Sequence, residues 1–123
     1  MEKEGKFCTM NEIDERPWGK YEVLLDDPTT KVKRITVNPG QKLSYQYHLL
    51  RQECWIVTKG NLTIVLDDEK VFREYGESIR IPKGAKHRAW NETDEVVEFI
   101  EVQTGTYFGE DDIVRISDEY NRI

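Results

Sequence analysis

Histidine is scarce in this chain of 123 residues, which holds two, His48 and His87. A centre built on three imidazoles, common among redox-active iron sites, is therefore excluded. Cysteine is equally sparse. Cys8 and Cys54 show neither a framework spacing nor a CxxC partner, so two free thiols in a reducing cytoplasm are expected instead of a disulfide. No apolar run reaches the length of a membrane span, so no membrane partner is expected. The N-terminal stretch MEKEGKFCTMNEIDER has no apolar h-region and no small-residue cleavage site, so no signal peptide is expected. Positive charge is in deficit, 18 Lys and Arg against 24 Asp and Glu, for a formal net charge of −6. That balance argues against nucleic acid as a partner. An anionic ligand must then be held by local cations. Repeats, low-complexity tracts and linkers are absent, and nothing between Trp18 and Val102 sustains a helical period.

What is present is a β pattern. Short runs rich in Val, Ile, Thr, Tyr and Phe predict strands near 20–25, 31–37, 42–48, 53–58, 61–66, 70–73, 78–81, 86–90 and 96–103. Between them stand turn-forming groups such as Asn38-Pro39-Gly40, Asp67-Asp68-Glu69 and Pro82-Lys83-Gly84. Many short, evenly spaced strands predict a sandwich or a barrel. The length suits one domain. Residues 1–15, polar and aperiodic, read as an N-terminal arm, and 16–123 as the single domain with a C-terminal tail. A short helix is expected within Asp111 to Arg122.

Alternation along the strands says which side chains look inward. Lys33 shares a face with Ile35 and Val37; Ser44, Gln46 and His48 share another; Glu53 goes with Trp55 and Val57. Glu101 is inward with Phe99 and Gln103 by the same parity, while Arg88, beside His87, should point outward. Polar groups on an apolar face are costly unless satisfied. A metal ion would satisfy Gln46, His48 and Glu53 together.

The spacing supports that. Gly40 is followed after five residues by Gln46-Tyr47-His48, then after four by Glu53, then after six by Gly60. A second block runs Gly76, five residues, Pro82-Lys83-Gly84, two residues, His87, three residues, Asn91. These blocks resemble the paired cupin motifs, with Gln46 in place of the first histidine, and so imply an all-β cupin: a double-stranded β-helix, or jelly-roll barrel. The ligand set would be Gln46, His48, Glu53 and His87 around one divalent ion. Mixed N/O donors without thiolate suit zinc, placed first, with Mn, Co, Fe and Ni compatible.

Further segments narrow the resemblance. They are Arg16-Pro17-Trp18-Gly19-Lys20-Tyr21-Glu22, the stretch Val32 to Gly40, Leu43 to His48, Glu53-x-Trp55, and Glu101 to Arg115. Together they resemble the type II phosphomannose isomerase domain, over roughly residues 16–122. That family's domain is usually the C-terminal part of a mannose-1-phosphate guanylyltransferase/mannose-6-phosphate isomerase. The resemblance implies a metal-dependent aldose–ketose isomerase interconverting mannose 6-phosphate and fructose 6-phosphate through a cis-enediol. Arg51 would be catalytic or orient phosphate, Lys33 would be the next catalytic cation, and the base would be Glu101 or a metal-bound water. Arg88 and Arg115 would contact the phosphorylated sugar, with Ser44 beside them. A homodimer is expected by analogy with other cupins. The chain departs from the family where it reads Gln46-Tyr47-His48-Leu49-Leu50-Arg51-Gln52-Glu53-Cys54-Trp55: three family histidines are missing. A Gly-rich nucleotide loop is also missing, so guanylyltransferase activity is not expected of this chain. The alternatives are a non-catalytic, metal-containing sugar or sugar-phosphate binding cupin, and another metal-cupin enzyme such as an oxygenase.

Overall fold

The computed structural model describes residues 12–117. Cys8, the first eleven residues of the expected arm and residues 118–122 of the expected tail helix lie outside them. The strands are β1 (Glu12–Arg16), β2 (Gly19–Asp26), β3 (Thr30–Val37), β4 (Tyr45–Tyr47), β5 (Arg51–Lys59), β6 (Leu62–Leu66), β7 (Glu69–Arg73), β8 (Ser78–Ile81), β9 (His87–Trp90), β10 (Val97–Gly105) and β11 (Val114–Ser117). They form a six-stranded sheet in the order β1-β2-β3-β10-β5-β8 and a five-stranded sheet in the order β11-β4-β9-β6-β7. Every pairing is antiparallel. The only helical element among the described residues is a 3₁₀ turn at Glu110–Asp112, and no helix is long and apolar enough to cross a membrane.

The inner faces follow the period-two pattern. In β5, Arg51, Glu53, Trp55 and Val57 are buried while Cys54 and Ile56 are exposed; in β10, Val97, Phe99, Glu101 and Gln103 are buried. Register stacks these positions into rows across the larger sheet. One row is Ile35, Phe99 and Val57, the next Lys33, Glu101 and Trp55, and the next Lys31, Gln103 and Glu53. Two residues along the strands therefore change the interior from hydrocarbon to charge. The apolar end is closed by Val37, Leu62, Ile64 and Val97, all nearly inaccessible to solvent. The polar end holds the site.

Two tight places fix the chain path. The β6–β7 hairpin turns through Asp67 and Asp68, with φ of 48° and 72°. A two-residue loop with both central residues at positive φ matches the right-handed twist of the paired strands. Gly105, at φ 156°, ends β10 so close to the loop before β5 that a Cβ there would lie 2.4 Å from the Leu50 carbonyl oxygen.

Three expectations are corrected. The stretch read as an arm ends in strand β1, which pairs with β2 from Glu12↔Val23 to Arg16↔Gly19. Its polar composition conceals it because it is an edge strand; Asp14 accepts a 2.8 Å hydrogen bond from the Tyr21 hydroxyl. The helix expected after Asp111 is instead the 3₁₀ turn and then β11, whose Val-Arg-Ile-Ser alternation pairs with β4. Only Tyr45–Tyr47 of the expected 42–48 run is a strand, joined by an isolated bridge between Lys42 and Trp90.

Candidate metal centre

Glu53 is the hub. It stands on β5 between two histidines brought from elsewhere: His48, in the loop after β4, and His87, at the start of β9. Glu53 Oε2 lies 3.3 Å from His48 Nε2, and Glu53 Oε1 lies 3.8 Å from His87 Nε2. One potential ligand atom from each residue lies within 4.8 Å of the other two, and all three residues are buried. The imidazole centroids are 5.0 Å apart.

Neighbouring groups orient the ligands. The His87 Nδ1–H donates to the Ala85 carbonyl at 2.9 Å, which leaves the Nε2 lone pair facing Glu53; that nitrogen is buried and has no partner. A backbone carbonyl on the far nitrogen is how a metal-binding histidine is usually held in one tautomer. His48 Nδ1 is also buried and without a hydrogen-bond partner among the described residues. The Trp55 indole N–H donates to Glu53 Oε1 at 2.9 Å. Arg51 Nε donates to Glu53 Oε2 at 2.9 Å, and its terminal nitrogen lies 3.1 Å from His48 Nε2. The orphaned Nε2 of His87 and the Nε2 of His48 converge on one carboxylate, a donor set that fits a divalent ion with N/O preference.

Burial by itself would raise the Glu53 pKa. Hydrogen bonds with Glu101 and His48, with the charges of His87 and Arg51, outweigh it and hold the carboxyl well below the usual range. Glu101 goes the other way: burial, then the charge of Glu53 and their shared hydrogen bond, push it well above 4.5. The opposite shifts favour a proton on Glu101 over one on Glu53. Burial lowers the pKa of His87 more than the Glu53 charge raises it, which keeps the imidazole neutral, the form that binds metal.

A cavity opens over this cluster. Of the residues singled out in the sequence, Lys33, Ser44, Gln46, Arg51, His87, Arg88, Glu101 and Arg115 line it, with His48 and Glu53 buried beside them. Ser44 donates to Gln46 Oε1 at 2.7 Å, and Gln46 is the cross-strand neighbour of both His87 and Arg115. Arg88 also lines the cavity, although the burial alternation of β9 sets it on the face opposite His87 and Ala89, as parity expects; its Nε donates to the Leu43 carbonyl at 2.8 Å and a terminal nitrogen to the Ser117 carbonyl at 3.5 Å. Arg115 comes from β11, and its Nε is buried without a hydrogen-bond partner among the described residues. Sequence reasoning missed Arg16, Trp18 and Tyr21 on the cavity wall, where Lys33 Nζ sits 4.1 Å from the Tyr21 ring centroid. Strand parity alone could have found Tyr21, the cross-strand partner of inward Ile35.

Two sheets closed around a buried His–Glu–His cluster define a cupin with a potential metal centre. A conserved Klebsiella pneumoniae protein with a double-stranded β-helix domain superposes with a TM-score of 0.70 at 20% identity, covering 80% of this chain and 83% of that one. The chain belongs to the family described as mannose-6-phosphate isomerase C-terminal, whose model matches residues 3–118. A Salmonella montevideo mannose-1-phosphate guanylyltransferase is 43% identical over 122 residues, 99% of this chain and 26% of the relative. A Sinorhizobium fredii protein of the same name is 42% identical over 104 residues, 85% of this chain and 20% of the relative. The chain spans about a fifth to a quarter of the length of these curated relatives. They also correct one expectation. The resemblance implied a mannose-6-phosphate isomerase, but the relatives are named for a different enzyme, and an isomerase activity of this domain alone is not supported.

Proposed function

We propose that this chain is a metal-containing cupin domain that binds a phosphorylated sugar without turning it over. The observation that carries it is the buried His48–Glu53–His87 cluster opening into a cavity lined by cations from several strands. His48, Glu53 and His87 would hold the ion, with Gln46 as a fourth, oxygen-donating ligand, and zinc placed first. A bound ion supplies a Lewis-acidic contact for sugar oxygens. Arg88 and Arg115 face the anionic end, Lys33 and Arg51 neutralise the wall, and Ser44 positions Gln46. The name of the relatives, mannose-1-phosphate guanylyltransferase, supports a sugar phosphate as the ligand class. A local cluster of cations is what an acidic protein needs to hold an anion.

The setting we infer is the cytoplasm, in keeping with the exposed free thiol of Cys54, and the assembly a homodimer built on a sheet edge. Nucleic acid and membrane are not among the partners. The test is calorimetric titration of mannose 1-phosphate and mannose 6-phosphate into metal-stripped and zinc-loaded protein, with unphosphorylated mannose as the control. Binding that needs both the phosphate and the ion, and weakens in Arg115→Met, supports the proposal. Equal heats with and without metal, or with mannose alone, contradict it.

A further inference from the structure

Gln103 is the least explained side chain of the interior. It is fully buried, at 0% exposure, and neither its amide nitrogen nor its carbonyl oxygen has a hydrogen-bond partner among the described residues. A buried amide in that state is a net loss to the fold, and an apolar residue of similar size would avoid it. Its place is specific. On β10 it stands in register between Lys31 and Glu53, facing inward like Glu101 two residues earlier. Lys31 is directed to Asp26, 3.8 Å away. Glu53 is the hub of the His–Glu–His cluster.

The donors around Glu53 are otherwise committed. Trp55 and Arg51 each donate at 2.9 Å, and Glu101 shares a hydrogen bond with it. Arg51 also lies 3.1 Å from His48 Nε2, so it occupies lone pairs that an ion would take. An ion at the cluster must redistribute the donors on Glu53, and the neighbouring donor with nothing else to bind is the Gln103 amide. We infer that Gln103 is a positioning residue of the metal centre, whose amide hydrogen-bonds the Glu53 carboxylate when His48, Glu53 and His87 hold a divalent ion. This rests on the metal site proposed above. It gives the unpaired amide a purpose: the isolated fold is penalised so that the loaded centre is rigid.

Two opposite effects separate this from a packing role. Gln103→Leu and Gln103→Met keep the volume and remove the amide. Metal-stripped wild-type and variant proteins are compared by thermal unfolding, and Mn²⁺ affinity is read by paramagnetic resonance of the free ion. The stripped variants should unfold at or above the wild-type temperature, while Mn²⁺ affinity falls about 10–100-fold, the usual effect of losing an outer hydrogen-bond partner of a metal ligand. Wild-type binding with unchanged affinity in both variants overturns this inference alone. Stripped variants that unfold well below wild type also overturn it, by assigning Gln103 to the fold. A wild-type protein that binds no Mn²⁺ overturns the metal site itself and this inference with it.

Discussion

Arg51 Nε donates to Glu53 Oε2 across 2.9 Å, with both side chains almost wholly removed from solvent. Same-face neighbours two residues apart on β5, they form an internal ion pair whose anion is also the hub of the histidine cluster. The pair explains how a charged carboxylate is tolerated here before any metal binds.

Removing the cation should expose that dependence. Arg51→Met leaves a buried carboxylate without its counter-ion, so the metal-stripped protein should lose about 3–5 kcal/mol, the usual penalty for breaking a buried pair. A divalent ion can replace the missing charge, so zinc should recover much of the loss. Urea denaturation of stripped and loaded variant checks both halves; a loss that zinc leaves untouched contradicts the shared role of Glu53.

The proton on Glu101 has a signed consequence. Its folded pKa is raised well above 4.5 by burial and by Glu53, so the folded state keeps a proton that the unfolded chain releases. Its stabilising contribution is complete below the ordinary carboxyl range and declines as pH rises toward the folded value. Glu53, held low, acts in the opposite sense and loses its contribution as pH falls. His87, held low, gains in the opposite sense up to about 6.5, so the Glu101 contribution is read by comparison: as pH rises above about 4.5, metal-stripped wild type should lose stability relative to metal-stripped Glu101→Gln. Equal slopes in both proteins contradict the assignment of the proton to Glu101.

Trp55 contributes more than packing. Its indole N–H donates to Glu53 Oε1 at 2.9 Å, and its rings sit 4.7 Å from Phe99 and 5.7 Å from His87. Trp55→Phe removes the donor and keeps most of the apolar surface. A hydrogen bond to a charged group predicts a loss of about 1.5–3 kcal/mol, measured by denaturant unfolding. Trp55→Leu, which removes ring contacts as well, should be worse.

Gly105 is sterically constrained. With φ at 156° and a Cβ position 2.4 Å from the Leu50 oxygen and 2.9 Å from the Arg51 Cα, any side chain must displace the segment that presents Arg51. Gly105→Ala should cost about 1–3 kcal/mol, the usual range for overpacking, and weaken metal binding through Arg51 and Glu53. Thermal unfolding and a metal titration on one preparation check the two effects.

Much of this was legible in the sequence for a simple reason. Period-two alternation survives in β3, β5 and β10 because one face of each is buried, so Lys33, Glu53, Trp55 and Glu101 could be assigned inward from their neighbours alone. The motif spacing around Gln46, His48, Glu53 and His87 carried the cluster because turns of fixed length separate those residues. Edge strands were not legible: β1 and β11 bury little, so Glu12–Arg16 looked like an arm and the tail like a helix. The contact of Arg88 with the cavity depends on hydrogen bonds to the Leu43 and Ser117 carbonyls, which parity cannot register. Glu53 accepting from both Arg51 and Trp55 likewise depends on side-chain rotamers, which strand periodicity leaves open.

The most direct test of the metal centre is a Co²⁺ titration of stripped protein, followed by visible absorption, in wild type and in Glu53→Ala and His87→Ala. Saturation at one ion per chain, with the spectrum altered or lost in both variants, is the predicted result. No saturable spectrum in the wild type, or an identical spectrum in the variants, would contradict a centre built on His48, Glu53 and His87.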